Sequence, residues 1–309
     1  MRRILSILFL ILILAMFLVP VSAESSTNLV LRMWEKDDPI PGATFEIYRV
    51  GAMSESGKLV LSDKFKSYPV DLNAHGEDTS PQAAVLYAYA RKDGIAPIDT
   101  AVTNESGHAV TDSLTDGLYM IAGQPFEYEG YIYQTKPQLI LLPQNDIETG
   151  EILKEPILAV KFSSEKKNDT PTSRKVLKTW NDNNSKNRPK SLTVHLLKNG
   201  KIHQTVTLTE QNQWRYVWND LDANAQWQIV EDVPSGYYVE VEQEGKTFLL
   251  TNTAKTLEPK PTEPEPTKPG GGKIDQTGMI LWPVFLLAGC GMMFIVIGIV
   301  LCKESAYES

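Results

Sequence analysis

Short runs of alternating apolar and polar residues fill most of the chain between residues 29 and 253. These runs are separated by turn-forming residues at short, regular intervals, which is the pattern of an all-β sandwich protein. One segment differs, because Ser80–Lys92 is rich in alanine and opens with Ser-Pro, a helix start signal. We therefore predict two tandem β-sandwiches, the first with a short helical insertion, joined near the Lys-, Asn-, Ser- and Thr-rich residues 163–173.

The second unit has the clearer strand pattern. Asn199-Gly200 supplies a tight hairpin turn between two of its predicted strands. Each strand has its apolar residues at every second position, so they share one face. These residues are Leu192, Val194 and Leu196; Val206 and Leu208; Trp214, Tyr216 and Trp218; Trp227 and Ile229; and Phe248 and Leu250. We interpret the aromatic residues among them as core and sheet packing rather than as a ligand platform.

Three polar residues of this unit occupy strand positions that are expected to face the core. Lys178, Glu231 and Asn252 each lie an even number of residues from apolar residues of their own strands. Burying an unpaired charge is expensive, so a pocket of low dielectric favours neutral lysine and protonated glutamate. Neutral lysine is a nucleophile toward the side-chain amide of asparagine, and the glutamate can transfer protons. The alternatives are a buried polar cluster without chemistry, or exposure near the strand ends.

Five stretches of the second unit resemble the B-type repeat of collagen adhesins, in order and across almost the whole unit. They are Lys178-Thr179-Trp180-Asn181-Asp182, Arg188-Pro189-Lys190-Ser191, Leu197-Lys198-Asn199-Gly200, Glu231-Asp232-Val233-Pro234-Ser235-Gly236-Tyr237 and Leu250-Thr251-Asn252-Thr253. The resemblance implies an immunoglobulin-like sandwich with an internal isopeptide bond between its first and last strands. It assigns Lys178 and Asn252 to the cross-link and Glu231 to catalysis of its formation.

The first unit resembles the related pilin-type sandwich, which is prealbumin-like, at residues 41–50, 103–107 and 114–119. Its helical insert is similar to those in the N-terminal domains of pilin subunits. The bond-forming residues are missing, because Arg32 and Met33 stand where a lysine is expected and residues 119–123 lack the acid. Arginine cannot replace the lysine, since it stays protonated. We therefore predict that the first unit is less resistant to force than the second.

Both ends of the chain are apolar. Met1-Arg2-Arg3, an apolar run and the small residues Val21-Ser22-Ala23 predict a secretory signal peptide over residues 1–23, with an uncleaved anchor helix as the alternative. Near the other end, residues 279–302 form an apolar run of a length that suits a transmembrane helix. Residues 255–273 before it are rich in Pro, Glu, Lys and Thr, which predicts an extended spacer.

Residues 274–309 resemble the sorting signal of sortase substrates, with Asp275-Gln276-Thr277-Gly278 before the apolar run and a short tail after it. The resemblance implies that sortase cuts between Thr277 and Gly278 and joins the new carboxyl end to an amine of peptidoglycan or of a pilin subunit. Ile274-Asp275 stand where the family has Leu-Pro, and the basic tail is reduced to Lys303. The alternative is a protein that keeps its membrane helix, which leaves the same domains outside the cell.

Composition narrows the possible classes of function. The net charge of −8 argues against a basic surface that would bind nucleic acid. Both cysteines, Cys290 and Cys302, lie in the C-terminal apolar run, so the exported part has no disulfide. The histidines lack metal-ligand spacing, and no nucleophile elbow or phosphate loop is present. We expect no metal, no cofactor and no enzymatic turnover beyond a single autocatalytic bond formation.

These patterns predict a protein tethered outside a Gram-positive cell. We expect a structural or adhesive protein, specifically a minor or basal pilin subunit, because the proline-rich spacer resembles the stalk of basal pilins. A shaft subunit would carry an acceptor lysine in a Tyr-Pro-Lys-like motif, which residues 160–167 lack. A stand-alone adhesin that binds a host-matrix or cell-surface ligand is the second hypothesis. The predicted segments are 1–23 (signal peptide), 24–165 (pilin-type sandwich), 172–254 (B-type sandwich), 255–273 (spacer) and 274–309 (sorting signal).

Overall fold

The computed structural model describes residues 26–74, 79–183, 185 and 188–255. Strands dominate these ranges, as the alternating pattern predicts, and the α-helix among them, α1, has the predicted bounds Ser80–Lys92. The predicted signal peptide, spacer, apolar span and Thr277–Gly278 cleavage site lie outside the described residues. Within the described ranges, no helix combines the length and apolar character needed to cross a membrane.

The first sandwich contains strands β1 to β13 and a short 3-10 helix at Asp63–Phe65. The strands are β1 Val30–Arg32, β2 Trp34–Glu35, β3 Asp38–Pro39, β4 Thr44–Met53, β5 Leu59–Leu61, β6 Asp99–Val102, β7 His108–Val110, β8 Gly117–Gly123, β9 Phe126–Tyr128, β10 Tyr131–Thr135, β11 Gln138–Leu142, β12 Ile157–Ala159 and β13 Phe162–Lys166. The largest sheet has the order β11-β8-β4-β5, with β6 also paired to β4. Two three-stranded sheets, β12-β1-β7 and β13-β10-β9, and the short two-stranded sheet β2-β3 complete the sandwich.

The second sandwich contains the remaining described strands. They are β14 Thr172–Asn181, β15 Ser191–Lys198, β16 Lys201–Thr209, β17 Arg215–Leu221, β18 Trp227–Glu231, β19 Tyr237–Glu244 and β20 Thr247–Ala254. One sheet has the order β17-β14-β20-β19 and the other the order β16-β15-β18. Because β14 pairs in parallel with β20, the first and last strands of the sandwich are direct neighbours.

The hairpin between β15 and β16 turns at Asn199 and Gly200, as predicted. Both residues have positive φ angles, 51° and 78°. A type I′ turn requires this combination, and its twist matches the twist of the flanking strands. The inward residues of β15 that the alternation predicts, Leu192, Val194 and Leu196, are all buried.

Helix α1 lies between the two sandwiches and is buried along most of its length. It contacts β8 and β11 of the first sandwich and β18 and β19 of the second. Contact on both sides explains why its sequence has many alanines and no broad polar stripe. One apolar cluster therefore runs from Tyr48 and Phe65 in the first sandwich, through the helix, to Val194 and Ile229 in the second.

Candidate cross-link site

Lys178, Glu231 and Asn252 meet inside the second sandwich. Lys178 on β14 is paired with Leu250, two residues before Asn252 on β20, so Lys178 and Asn252 are diagonal neighbours on one face. Glu231 is the last residue of β18 and approaches from the other sheet. Their exposed fractions are 4%, 1% and 0%, which confirms the predicted inward orientation of all three.

The three side chains are within reach of one another. The Nζ atom of Lys178 lies 3.7 Å from Oε2 of Glu231, and Nδ2 of Asn252 donates a hydrogen bond of 2.5 Å to Oε1 of the same carboxyl group. Lys178 also donates to the backbone carbonyls of Thr179 and Leu250. Neither Oε2 of Glu231 nor Oδ1 of Asn252 has a hydrogen-bond partner among the described residues. The cluster is thus densely packed but incompletely satisfied, which is a costly arrangement for a merely structural site.

Burial opposes charge on both ionisable groups. Desolvation lowers the pKa of Lys178, and the nearby Glu231 carboxylate only partly offsets this effect. Desolvation raises the pKa of Glu231, against the smaller opposing effects of Lys178 and Asn252. Both shifts favour the neutral amine and the protonated acid. The arrangement therefore supplies a nucleophile, a proton donor and an amide at one dry location.

Trp180 covers the amine of Lys178. The Nζ atom lies 4.4 Å from the centre of the Trp180 ring, within cation–π range. The edges of Trp214 and Tyr237 pack against the same ring, with centroids 5.5 and 5.2 Å away. Trp180 lies two residues after Lys178 and therefore on the same face of β14, but alternation alone does not indicate that its ring covers the amine.

Asp182, which directly follows β14, binds Arg188 and Tyr237. Its carboxylate accepts hydrogen bonds from Arg188 and from the hydroxyl of Tyr237, 3.0 Å away. The hydrogen bonds from Arg188 are the main reason that the pKa of Asp182 falls to about 2. Because Tyr237 also packs on Trp180, this ion pair supports the aromatic cover over Lys178.

The first sandwich contains a different buried carboxylate, Glu46 on β4. It accepts hydrogen bonds from Arg91 at 2.8 Å and from the hydroxyls of Tyr48 and Tyr87. Arg32 and Met33, which stand at the expected lysine position, are exposed and fully buried, respectively. Glu46 was not predicted from the sequence because β4 is buried on both faces, so alternation does not separate its inward from its outward positions.

The described histidines do not form a metal site. His195 on β15 lies 2.9 Å from the hydroxyl of Thr205 and 3.2 Å from the carboxylate of Asp232. His203 packs edge-on against Trp227. In the part of the chain that the structure describes, no group of three His, Cys, Asp or Glu residues is placed to hold an ion.

Comparison with known proteins identifies a domain that coincides with the second sandwich. The family model described as "Cna protein B-type domain" matches residues 174–253. The collagen adhesin of Staphylococcus aureus is 40% identical over 63 residues, which are 19% of this chain and 5% of that protein. The chain thus carries a Cna B-type domain but spans only 5% of the length of that relative.

Several solved structures of surface proteins are also similar. A single B repeat unit of the collagen-binding protein of Staphylococcus aureus is 16% identical, covers 75% of this chain and 100% of its own, and has a TM-score of 0.27. The shaft pilin SpaA of Lactobacillus rhamnosus GG is 14% identical over 76% and 100% of the two chains, with a TM-score of 0.28. GBS52, the minor pilin of Streptococcus agalactiae, is 15% identical over 80% and 100%, with a TM-score of 0.26.

Proposed function

We propose that this chain is an extracellular structural or adhesive protein of a Gram-positive cell surface, whose second sandwich is locked by an amide bond between Lys178 and Asn252. The observation that carries the proposal is the buried contact of these residues with Glu231, at 3.7 Å from the amine and 2.5 Å from the amide nitrogen. The match of residues 174–253 to the Cna B-type domain supports it independently. The chain performs this chemistry once on itself and turns over no substrate.

The reaction is a transfer of the Asn252 acyl group from nitrogen to nitrogen. The neutral amine of Lys178 attacks Cγ of Asn252, and the bond from Cγ to Nδ2 breaks. Glu231 accepts a proton from the attacking amine and gives one to the departing nitrogen, beside which it already lies. One amide forms, one amide breaks and one ammonia molecule leaves, so no cofactor is needed.

The bond would serve a protein that works under tension. Lys178 and Asn252 lie on the first and last strands of the sandwich, which are adjacent and parallel. Force that enters through β14 and leaves through β20 would pass across the amide and bypass the strands between them. In the unfolded chain the same bond closes a loop of about 75 residues, which corresponds to roughly 4–5 kcal/mol in the chain-entropy model.

A peptide map tests the identity of the linked residues. Digestion of the purified protein should yield one branched peptide in which the side chain of Lys178 is joined to that of Asn252, with tandem mass spectra that read both arms. Recovery of the two segments only as separate linear peptides would contradict the proposed bond.

For attachment to the surface, we propose secretion with cleavage after Ala23 and sortase transfer at Thr277–Gly278, in a minor or basal pilin. The order of spacer, Gln-Thr-Gly, apolar run and short tail supports this attachment. Wall extracts probed with antibody against this protein should give a ladder of high mass. A single band would favour an individually anchored adhesin that binds a host-matrix or cell-surface ligand.

A further inference from the structure

The first sandwich contacts the backbone of the second at two points beside the cross-link site. The hydroxyl of Tyr89 on α1 donates a buried hydrogen bond of 2.8 Å to the main-chain carbonyl of Glu231. The main-chain amide of Val239 on β19 donates a hydrogen bond of 2.9 Å to the carbonyl of Pro69. Val239 is the cross-strand partner of Asn252. One contact therefore holds the backbone at Glu231, and the other holds the backbone at the residue directly opposite Asn252.

Both contacts fall on strands that end a sheet. β18 and β19 are edge strands of the two sheets of the second sandwich, and α1 lies against both of them. An edge strand has one row of amides and carbonyls without a ladder partner, and its ends are the easiest part of a sheet to displace. Glu231 is the terminal residue of β18, so its position depends on what restrains this end.

Tyr89 is well placed to supply that restraint. Its side chain is only 7% exposed, and its ring stacks on Tyr68 with centroids 4.6 Å apart and planes 13° apart. Burial raises the pKa of Tyr89, so the hydroxyl remains a hydrogen-bond donor. On the same helix, Arg91 contacts the β15–β16 turn at Asn199. The Tyr89 hydroxyl is therefore held in place by burial of its side chain and by the stacked ring of Tyr68.

We infer that Tyr89 is a positioning residue for cross-link formation and that the amide forms at its full rate only after the first sandwich has docked through α1. The inference rests on the proposed Lys178–Asn252 bond. The Tyr89 hydroxyl binds the main-chain carbonyl of Glu231 on the side of β18 that faces α1. The carboxyl group of Glu231 reaches Lys178 and Asn252 in the interior of the second sandwich. Covalent locking of the second sandwich is thereby coupled to correct folding of the first.

The test compares two phenylalanine substitutions in helix α1 of the full-length chain. Tyr89→Phe removes the hydroxyl that reaches Glu231, whereas Tyr87→Phe removes the hydroxyl of another buried tyrosine, which bonds Glu46 within the first sandwich. Each chain is synthesised cell-free in detergent and quenched in denaturant at successive times. Intact mass then gives the fraction that has lost ammonia, and circular dichroism before quenching gives the fraction folded.

We expect Tyr89→Phe to slow bond formation about tenfold, the effect of removing one buried hydrogen bond of ordinary strength, and Tyr87→Phe to leave the rate unchanged. In the cross-linked product, the new amide N–H takes the place of Nδ2 beside Glu231. Its proton resonance should move in Tyr89→Phe and stay in Tyr87→Phe. If Tyr89→Phe does not fold, Tyr68→Leu, which leaves Tyr89 in place but removes the ring stacked on it and the hydroxyl that bonds Asp93, should slow the reaction to a smaller extent.

The outcomes distinguish failure of the proposed Lys178–Asn252 bond from failure of the proposed role of Tyr89. A wild-type chain that never loses ammonia overturns the proposed bond and this inference together. A wild-type chain that loses ammonia, with Tyr89→Phe equally fast, overturns the inference and leaves the bond intact. Equal slowing by Tyr87→Phe also overturns it, because the effect would then not depend on the contact with Glu231.

Discussion

At the residue scale, the chemistry depends on the protons that Lys178 and Glu231 carry together. Burial lowers the pKa of the amine and raises that of the acid, so their titrations approach each other. Asp182, Arg188 and Asp232 also act on this pair. The reactive form carries one proton on the pair, since attack needs a free amine and departure of ammonia needs a proton donor.

The rate of bond formation should therefore have a bell-shaped dependence on pH. At low pH the pair holds two protons and the amine cannot attack, whereas at high pH it holds none and the departing nitrogen receives no proton. Quenched samples of freshly synthesised chain, analysed by intact mass across buffers from acid to alkaline, measure this profile. A rate that rises with pH to a plateau without falling would contradict the role of Glu231 as proton donor.

Asp182 gives a second prediction at this scale. Its pKa is about 2 in the folded chain, below the value of about 3.9 for an unfolded aspartate, so its ion pair stabilises the fold above about pH 4 and loses this effect as pH falls toward 2. Asp182→Asn should destabilise the protein by about 1–3 kcal/mol at neutral pH. Denaturant titrations should show this deficit shrinking in acid. A deficit that is constant with pH would mean that the charge of Asp182 is irrelevant.

The sequence predicts the orientation of a side chain correctly where the alternation of a strand alone decides which face the side chain is on. Parity placed Lys178, Glu231 and Asn252 inward, because a strand alternates strictly between its two faces. It could not find the bond from Tyr89 to Glu231, whose members are 142 residues apart. Nor could it find Glu46, which belongs to a strand buried on both faces.

At the element scale, the β15–β16 hairpin has two functions. Its turn joins two strands of the second sandwich, and it also packs against Arg91 of helix α1. Arg91 in turn forms an ion pair of 2.8 Å with Glu46 in the first sandwich. The turn is therefore one link in the contact between the two sandwiches.

Gly200→Ala tests this link, with Gly245→Ala in the β19–β20 hairpin as a matched control. Both glycines have positive φ, 78° and 56°, so both alanines carry a similar backbone cost of about 1 kcal/mol. A methyl group at Gly200 would collide with the Arg91 side chain, whereas one at Gly245 would meet nothing within 4 Å. Gly200→Ala should lower the free energy of unfolding by about 1 kcal/mol more than the control. Equal effects would show that the turn does not support the interface.

Sequence patterns predict that α1 exists and where it begins and ends, but they do not predict that it lies between the two sandwiches. Ser80 and Pro81 mark its start, and the structure begins the helix there. The helix lacks a clear apolar stripe, and a stripe is what tells which side of a helix faces a core. Its contacts with both sandwiches are long-range, and the propensities of its residues carry no information about them.

At the scale of the whole molecule, two sandwiches share one apolar cluster but differ in how they should bear load. The second has its terminal strands side by side around the proposed amide. In the first, the buried acid Glu46 accepts hydrogen bonds from an arginine, two tyrosine hydroxyls and the amide of Gln124, with no lysine among its partners in the described residues. We therefore expect noncovalent contacts to be all that resists extension of the first sandwich.

Single-molecule pulling on residues 24–273 should extend the first sandwich and leave the second closed. Replacing Lys178 with methionine, which is apolar and of similar length, should add a second event of roughly 250 Å as about 75 residues are released. A wild-type molecule in which the first sandwich also withstands high force would contradict the assignment of its strands.

Mass spectrometry of protein released from the wall tests the predicted ends of the mature chain. The N-terminal peptide should begin at Glu24, and the C-terminal peptide should end at Thr277, joined to an amine of peptidoglycan or of a pilin subunit. An intact segment over residues 279–309 in most of the surface protein would exclude sorting at this bond and favour a retained membrane helix.

The intact mass of the denatured protein tests the Lys178–Asn252 bond directly. The wild-type chain should weigh less than its sequence by one ammonia, because the Lys178–Asn252 amide releases one molecule. Lys178→Ala and Glu231→Ala should each have the full mass of their own sequence and a lower melting temperature. A well-folded wild-type protein with the unmodified sequence mass would show that this domain does not lock itself covalently.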